Sequence, residues 1–138
     1  MNDNLKIIKL WIEKADHDLG TAELTQKHIP VFRDTIAFHC QQAVEKYCKA
    51  YLIFNNIQPK RTHDLVLLLG MISTFESVSD DLFDLIAELQ DYAVEVRYPD
   101  TIIELTDDDI SKAIEITRVF RNLFLSKISG YISPEEHK

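Results

Sequence analysis

The residues best suited to chemistry lie on one short stretch, FHCQQAVEKYCKAYL, at positions 38–52. Its apolar residues recur at the spacing of a helix that packs one side into a core. Beside that side, an advance of about 100° per residue brings the polar side chains of His39, Gln42, Lys46 and Lys49 into one sector. Gln41 and Glu45 fall outside this sector. An imidazole, a carboxamide and an ammonium group side by side can bind a phosphate or the edge of a base, which makes His39, Gln42 and Lys46 a candidate ligand site.

A second interpretation assigns His39 a structural role at the edge of the core. Its ring would then bond to a backbone carbonyl or a carboxylate, and Gln42 and Lys46 would simply be solvated. Buried polar groups are usually paired within the protein, so the general rule favours this alternative on chemistry alone. The two interpretations differ in whether the loss of His39 weakens binding or folding.

No other pattern indicates a metal or a cofactor. A di-iron bundle needs Glu-x-x-His motifs on two helices, and the sequence has none. Glu13 and His17 have the spacing of a surface contact, and the acids at 107–109 suit the positive start of a helix. Glycine occurs only at positions 20, 70 and 130, which excludes a glycine-rich phosphate loop. We predict no metal and no cofactor.

Composition is that of one soluble domain of 138 residues, with 46% apolar and 28% charged residues. The net charge of −8 disfavours bulk binding of nucleic acid, which needs clustered basic residues. Cys40 and Cys48 would lie about 12 Å apart along one helix, too far for a disulfide. Reduced thiols, no signal-peptide pattern at the start and no membrane-length apolar run predict a cytoplasmic protein without a membrane segment.

Apolar periodicity, helix caps and prolines divide the chain into five helical segments. We expect them at about 5–27, 31–54, 63–75, 80–98 and 106–128. Four long helices and one short one with short connections predict an all-α, up-and-down antiparallel four-helix bundle with an additional short helix. One core should be shared by Trp11, Ile36, Tyr47, Leu68, Leu89 and Phe120. The fifth helix is apolar over so much of its circumference that we expect a second subunit to cover it, forming a homodimer.

Four motifs together resemble the HEPN domain family. They are WIEKADHDL (11–19), FHCQQAVEKYCKAYL (38–52), HDLVLLL (63–69) and YAVEVRYP (92–99). Their order and spacing resemble the family over nearly the whole chain, so we expect one HEPN-like domain at 1–130 and a frayed tail at 131–138. The resemblance implies a helical bundle, commonly dimeric, that is encoded beside a minimal nucleotidyltransferase and is proposed to bind nucleotides.

The main hypothesis is therefore a binding protein, a nucleotide-binding partner subunit of a minimal nucleotidyltransferase in a toxin–antitoxin type operon. The candidate ligand contacts come from three helices: His39, Gln42, Lys46, Arg97, Tyr98, Lys14 and Asp18. Tyr98 would stack on a base and Arg97 would bind a phosphate. The alternative for Arg97 is a structural salt bridge to Asp18 or Glu95.

The same superfamily includes metal-independent RNases, whose signature is an Arg followed after four to six residues by a His. Arg97 occupies the corresponding place, but no His follows it and Pro99 interrupts the spacing. Arg33 and His39 match the spacing, yet they would lie about 120° apart on one helix. RNase activity is thus the alternative hypothesis, with RNA as substrate and an unorthodox site that combines Arg97 with His39 or His63.

Overall fold

Helices form most of the part of the chain that the computed structural model describes, residues 2–95 and 104–128. The helices are α1 (Asn2–His28), α2 (Arg33–Phe54), α3 (Leu65–Ile72), α4 (Asp80–Glu95) and α5 (Asp107–Ile128). No strand occurs within the described ranges. The predicted all-α class is confirmed. The expected end of the fourth helix near Tyr98 and the expected tail at 131–138 fall outside the described residues.

Local capping chemistry fixes several helix ends. Thr106 and Asp109 form a reciprocal capping box at the start of α5, with each side chain accepting the other residue's backbone N–H at 3.0 and 2.9 Å. Asp64 caps α3 by accepting the N–H of Leu67 at 3.1 Å, so this helix starts two residues later than expected. Asn56 adopts a positive φ of 62° just beyond α2, a conformation that Asn tolerates.

The second helix is the centre of the bundle, since α1, α3, α4 and α5 all pack against it. Its most extensive neighbour is α1, which runs antiparallel to it. Five of the six residues predicted for the core are fully buried: Ile36, Tyr47, Leu68, Leu89 and Phe120. Trp11 is only partly buried and packs at the edge of the core.

Most of the apolar residues of α5 pack within the bundle. Ile110, Ala113, Ile114, Ile116, Phe120, Phe124 and Ile128 are buried within the chain itself. Val119 stays 37% exposed and Leu123 and Leu125 are only partly buried, so part of the apolar surface of α5 remains uncovered and the homodimer stays a prediction. The apolar side chains that stay exposed lie mostly on α1 and the turn after it: Ile7, Leu10, Leu24, Ile29, Val31 and Phe32.

Two free thiols lie on the core side of α2. Cys40 and Cys48 are both fully buried and unpaired with each other, as their spacing predicted. Burial raises the pKa of the Cys40 thiol to about 12 and also raises the pKa of Cys48, because a thiolate loses its hydration there. Both cysteines behave as small apolar residues of the core.

Candidate functional site

One carboxylate, that of Asp18 on α1, joins two polar groups of α2. Its Oδ1 lies 2.9 Å from Nδ1 of His39, and its Oδ2 accepts a hydrogen bond from Nζ of Lys46. The side chains of Asp18, His39 and Lys46 are 14%, 26% and 19% exposed. These residues, with Gln42 beside them, are the α1–α2 cluster. They lie at the surface of the bundle, within reach of solvent.

The contact follows from how the two helices pack. Ala15 and Ala22 on α1 and Ala43 on α2 are completely buried, and such small side chains allow two helices to approach closely. A short Asp side chain can then reach across to the other helix. On α2, His39 and Lys46 are seven residues apart, which places them two turns apart on the same side.

The cluster has the parts for binding an anion or moving a proton. Asp18 occupies one ring nitrogen of His39, so the chemistry falls to Nε2, as in sites where a carboxylate orients a general base. An ammonium group has three N–H donors, and Asp18 takes one of those of Lys46. The same contact is also the one that the structural interpretation of His39 predicts.

The other predicted ligand residues are distributed around this cluster. Nε2 of Gln42 donates to Oε1 of Gln41 at 2.9 Å, so Gln42 is half-buried and tied to its neighbour. Lys14 is exposed on α1, one turn before Asp18. Arg97 and Tyr98, as well as the alternative salt bridge of Arg97, lie outside the described residues.

A second polar centre on α2 was missed from the sequence. Oε1 of Glu45 lies 2.8 Å from Nδ1 of His63, and its Oε2 accepts from Nζ of Lys49 at 3.0 Å. Gln41 donates to the backbone carbonyl of His63 at 3.0 Å. Glu45 and Lys49 are only 5% and 11% exposed, whereas His63 is 68% exposed. We call Gln41, Glu45, Lys49 and His63 the Glu45 network.

The segment between α2 and α3 is tied to this network through the ring and the backbone carbonyl of His63. Residue 63 contacts Gln41 and Glu45, which the helical wheel assigned to neither the core nor the ligand surface, whereas the wheel placed Lys49 beside the ligand residues. The available signal was the i, i+4 spacing of Gln41, Glu45 and Lys49, which brings their side chains together on a helix. Nζ of Lys49 also lies 5.5 Å from the ring centroid of Trp11, within cation–π distance.

Comparison with known sequences decides the family. A sequence model of the HEPN domain matches residues 8–128. The chain belongs to the HEPN family. A curated relative from Methanocaldococcus jannaschii, named "Putative toxin MJ1304", is 31% identical over 105 residues. The match covers 70% of this chain and 66% of the relative, just under two thirds of that protein's length.

Solved structures share the same HEPN fold. The crystal structure of ST0689, an archaeal HEPN homologue, superposes with a TM-score of 0.70 at 25% identity, covering 88% of this chain and 97% of that one. The protein TT1696 from Thermus thermophilus gives a TM-score of 0.73 at 23% identity, with 87% and 96% covered. The second similarity is evidence for the fold alone.

Within the HEPN domain, the first motif lies in α1 and the second in α2. The third motif, residues 63–69, begins with His63 of the Glu45 network and Asp64, the cap of α3, and continues into that helix. Over the described ranges, no group of three His, Cys, Asp or Glu side chains is placed to hold a metal ion. None of the helices described there is both long enough and apolar enough to span a bilayer.

Proposed function

We propose that this HEPN protein is the helical subunit of a toxin–antitoxin pair, that it binds a nucleotide phosphate at the α1–α2 cluster, and that its partner is a minimal nucleotidyltransferase. The observation that carries the proposal is the pairing of His39 and Lys46 on one carboxylate at the surface. The similarity to a relative named as a toxin supports the biological setting.

The cluster offers a phosphate the ammonium group of Lys46 and, in the imidazolium form of the ring, the Nε2–H of His39. Asp18 holds the imidazole and the ammonium group close together, so that one phosphate would contact both without either side chain having to be ordered first. A charge-assisted hydrogen bond to a phosphate stabilises a complex by about 1.5–3 kcal/mol. Gln42 adds a carboxamide beside them, which suits the hydrogen-bonding edge of a base.

Calorimetric titration with ATP and GTP tests the binding. We expect Lys46→Ala to weaken nucleotide affinity by about 1.5–3 kcal/mol, roughly tenfold to more than a hundredfold. The matched control is Lys112→Ala, because Lys112 of α5 is a lysine in an exposed ion pair with Glu88 of α4. No heat of binding from the parent protein, together with a lowered melting temperature for His39→Ala, would assign the cluster to structure alone.

The partner is tested separately. A neighbouring gene that encodes a Gly-Ser-x(9–12)-Asp-x-Asp protein is the expected nucleotidyltransferase, and the two chains should copurify when they are expressed together. If the two proteins elute separately at micromolar concentration, the proposed partnership is wrong, whatever the titrations show.

RNase activity is the second candidate function, and the contact between Asp18 and His39 favours it. A carboxylate-bound imidazole can remove the proton of a ribose 2′-hydroxyl that attacks the adjacent phosphate. A 2′,3′-cyclic phosphate forms as the bond from phosphorus to the 5′-oxygen of the next nucleotide breaks, and that oxygen takes a proton from the imidazolium or from water. We expect cleavage of a labelled RNA in EDTA to be lost in His39→Ala and retained in His17→Ala, since His17 is an exposed histidine of α1. Intact RNA after incubation with the parent protein would exclude this activity for the RNA used.

Pairing of two copies completes the proposal. Ile7, Leu10 and Leu24 are exposed on α1 and lie within about 100° around it, which offers an apolar surface to a second chain. A stable interface should bury more than about 1,000 Å² in total. Light scattering should give twice the 16.0 kDa mass of the chain. A mass of one chain at micromolar concentration would contradict the dimer.

A further inference from the structure

A groove separates α1 from α5 on the side of α1 that faces away from the α1–α2 cluster. Its volume is about 450 Å³, within the range of small-molecule sites. The lining residues are Asp16, Leu19, Gly20, Glu23, Arg118, Arg121 and Asn122. None of them belongs to the α1–α2 cluster or to the Glu45 network.

Two ion pairs bridge the groove and bracket Gly20. Nε of Arg121 lies 2.9 Å from Oδ1 of Asp16, and Nε of Arg118 donates to Oε2 of Glu23 at 3.0 Å. Asp16 and Glu23 are seven residues apart, so their positions along α1 differ by about 10 Å. Long charged side chains, and not close packing, therefore connect the two helices here.

Gly20 leaves the space between the ion pairs open. A Cβ atom added at this position would meet nothing within 4 Å. A glycine inside a helix is less favourable than alanine, and no close approach of a neighbour requires it here. The missing side chain is what gives the groove its depth.

The two walls of the groove carry opposite charge. The α1 wall presents the carboxylates of Asp16 and Glu23, and the α5 wall presents the guanidinium groups of Arg118 and Arg121 with the carboxamide of Asn122. The hydrogen bonds of the described residues use Oδ1 of Asp16 and Oε2 of Glu23. Each carboxylate thus has a second oxygen, and each guanidinium has further N–H groups, with which to bind a ligand while the ion pairs persist.

From this arrangement we infer that the groove is a binding site for a zwitterion, a small molecule with an ammonium and a carboxylate group close together, as in an amino acid. The carboxylate accepts from Arg118 and Arg121, and the ammonium group donates to the second oxygen of one of the two facing carboxylates, Asp16 or Glu23. Guanidinium groups match carboxylates in geometry, and these two lie one turn apart on α5. Leu19 forms the apolar floor under the ligand's side chain.

Three related compounds test the recognition of both charges. L-Leucine, L-leucinamide and N-acetyl-L-leucine are titrated into the ¹⁵N-labelled full chain, with the amide signals of Gly20 and Asn122 followed by NMR. L-Leucine should shift both signals in a saturable manner. Leucinamide lacks the carboxylate and N-acetylleucine lacks the ammonium group, so each should bind about tenfold more weakly or worse. Equal binding of the three compounds, no saturable shift, or the same shifts with inorganic phosphate would overturn the inference.

Two variants locate the site. Gly20→Phe fills the groove with a ring and should abolish the leucine-dependent shift of Asn122. Arg118→Gln changes an exposed residue, which keeps the fold, and should weaken leucine binding severalfold; Lys112→Ala should leave it unchanged. Undiminished leucine binding by a folded Gly20→Phe, or by Arg118→Gln, would refute the site. Nucleotide titrations of the same variants should match the parent, so failure of this inference is distinguishable from failure of the nucleotide proposal.

Discussion

Asp18 and Glu45 are the centres of two polar groups with the same composition on either side of one helix. Each carboxylate contacts Nδ1 of a histidine and Nζ of a lysine. They differ in what surrounds them. Glu45 is almost completely buried, and its donors come from its own helix and the segment before α3, whereas Asp18 reaches from α1 to the partly exposed His39 and Lys46.

The difference shows that position, and not residue type, separates a structural group from a candidate site. Within the Glu45 network, Gln41 and Lys49 enclose the carboxylate, and the network ties residue 63 to α2. In the α1–α2 cluster, one ring nitrogen and the remaining ammonium N–H groups lie near solvent. The Glu45 network therefore stabilises the fold, whereas the α1–α2 cluster can also bind a ligand.

The largest expected effect is on the buried group. Replacing Glu45 by Gln leaves the ammonium group of Lys49 buried without an opposite charge, and breaking such a pair costs about 3–5 kcal/mol. Urea unfolding should show this loss in the free energy of unfolding. The double variant Glu45→Gln/Lys49→Met removes the stranded charge and should recover much of the loss. A loss below about 1 kcal/mol in the single variant would show that the network is not structural.

Cys40 and Cys48, the buried thiols of α2, show what burial does to an ionisable group that has no ion-pair partner. An unfolded cysteine ionises near pH 8.5, whereas burial raises the pKa of Cys40 to about 12. The unfolded state therefore releases protons first, and stability that is present below about pH 8.5 is lost as the pH rises toward 12. Between pH 8 and pH 10.5 we expect a decrease of about 2.5 kcal/mol from Cys40 alone.

Burial raises the pKa of Tyr51 to about 12 as well, and the sign of its contribution is the same. Urea unfolding at the two pH values measures the total. Cys40→Ala should reduce the alkaline decrease, whatever its effect at pH 8. An equal decrease in parent and variant would contradict the assignment to this thiol.

A smaller effect is expected at the exposed cluster. Asp18→Asn removes the charge that both His39 and Lys46 contact, but these partners can regain water because they are partly exposed. We expect a loss of about 1–2 kcal/mol in the free energy of unfolding, clearly below that of Glu45→Gln. If the two losses were equal, the distinction between the two groups would disappear.

The smallest expected effect on the free energy of unfolding is that of an exposed ion pair. Lys112 and Glu88 are 3.6 Å apart and well exposed, so Lys112→Ala should change the free energy of unfolding by less than about 0.5 kcal/mol. Urea unfolding in low and high salt should give the same small value. A loss above about 1 kcal/mol would mean that exposed pairs in this bundle contribute more than the comparison assumes.

Helical periodicity predicted the five helices because each buries a stripe with a period of 3.6 residues. It also indicated that Asp18 lies near His39 and Lys46, since all three residues border the apolar sides along which the two helices pack. It could not predict the Glu45 network, because the position of His63 depends on how an irregular segment folds back. Trp11 was expected in the core because its side chain is apolar, yet it is only partly buried and lies 5.5 Å from Nζ of Lys49.

The groove is invisible to periodicity for a different reason. In the sequence, Gly20 is an isolated glycine that builds no phosphate loop, and Arg118 and Arg121 match no motif. Periodicity identifies the side chains that a helix buries. The groove between α1 and α5 depends instead on Gly20, which has no side chain. The partners of Asp16 and Glu23 lie about a hundred residues away in the chain, beyond any local pattern.

The pairing of α1 with α2 has a consequence for the order of folding. The two helices are adjacent in the chain and form the most extensive contact of the bundle, so this hairpin closes at a small cost in loop entropy. We expect it to form early, with α5 docking onto α2 afterwards, since α5 must bring together distant parts of the chain. Backbone amides of α2 should then be the slowest to exchange with deuterium, and those of α3, the shortest helix, among the fastest.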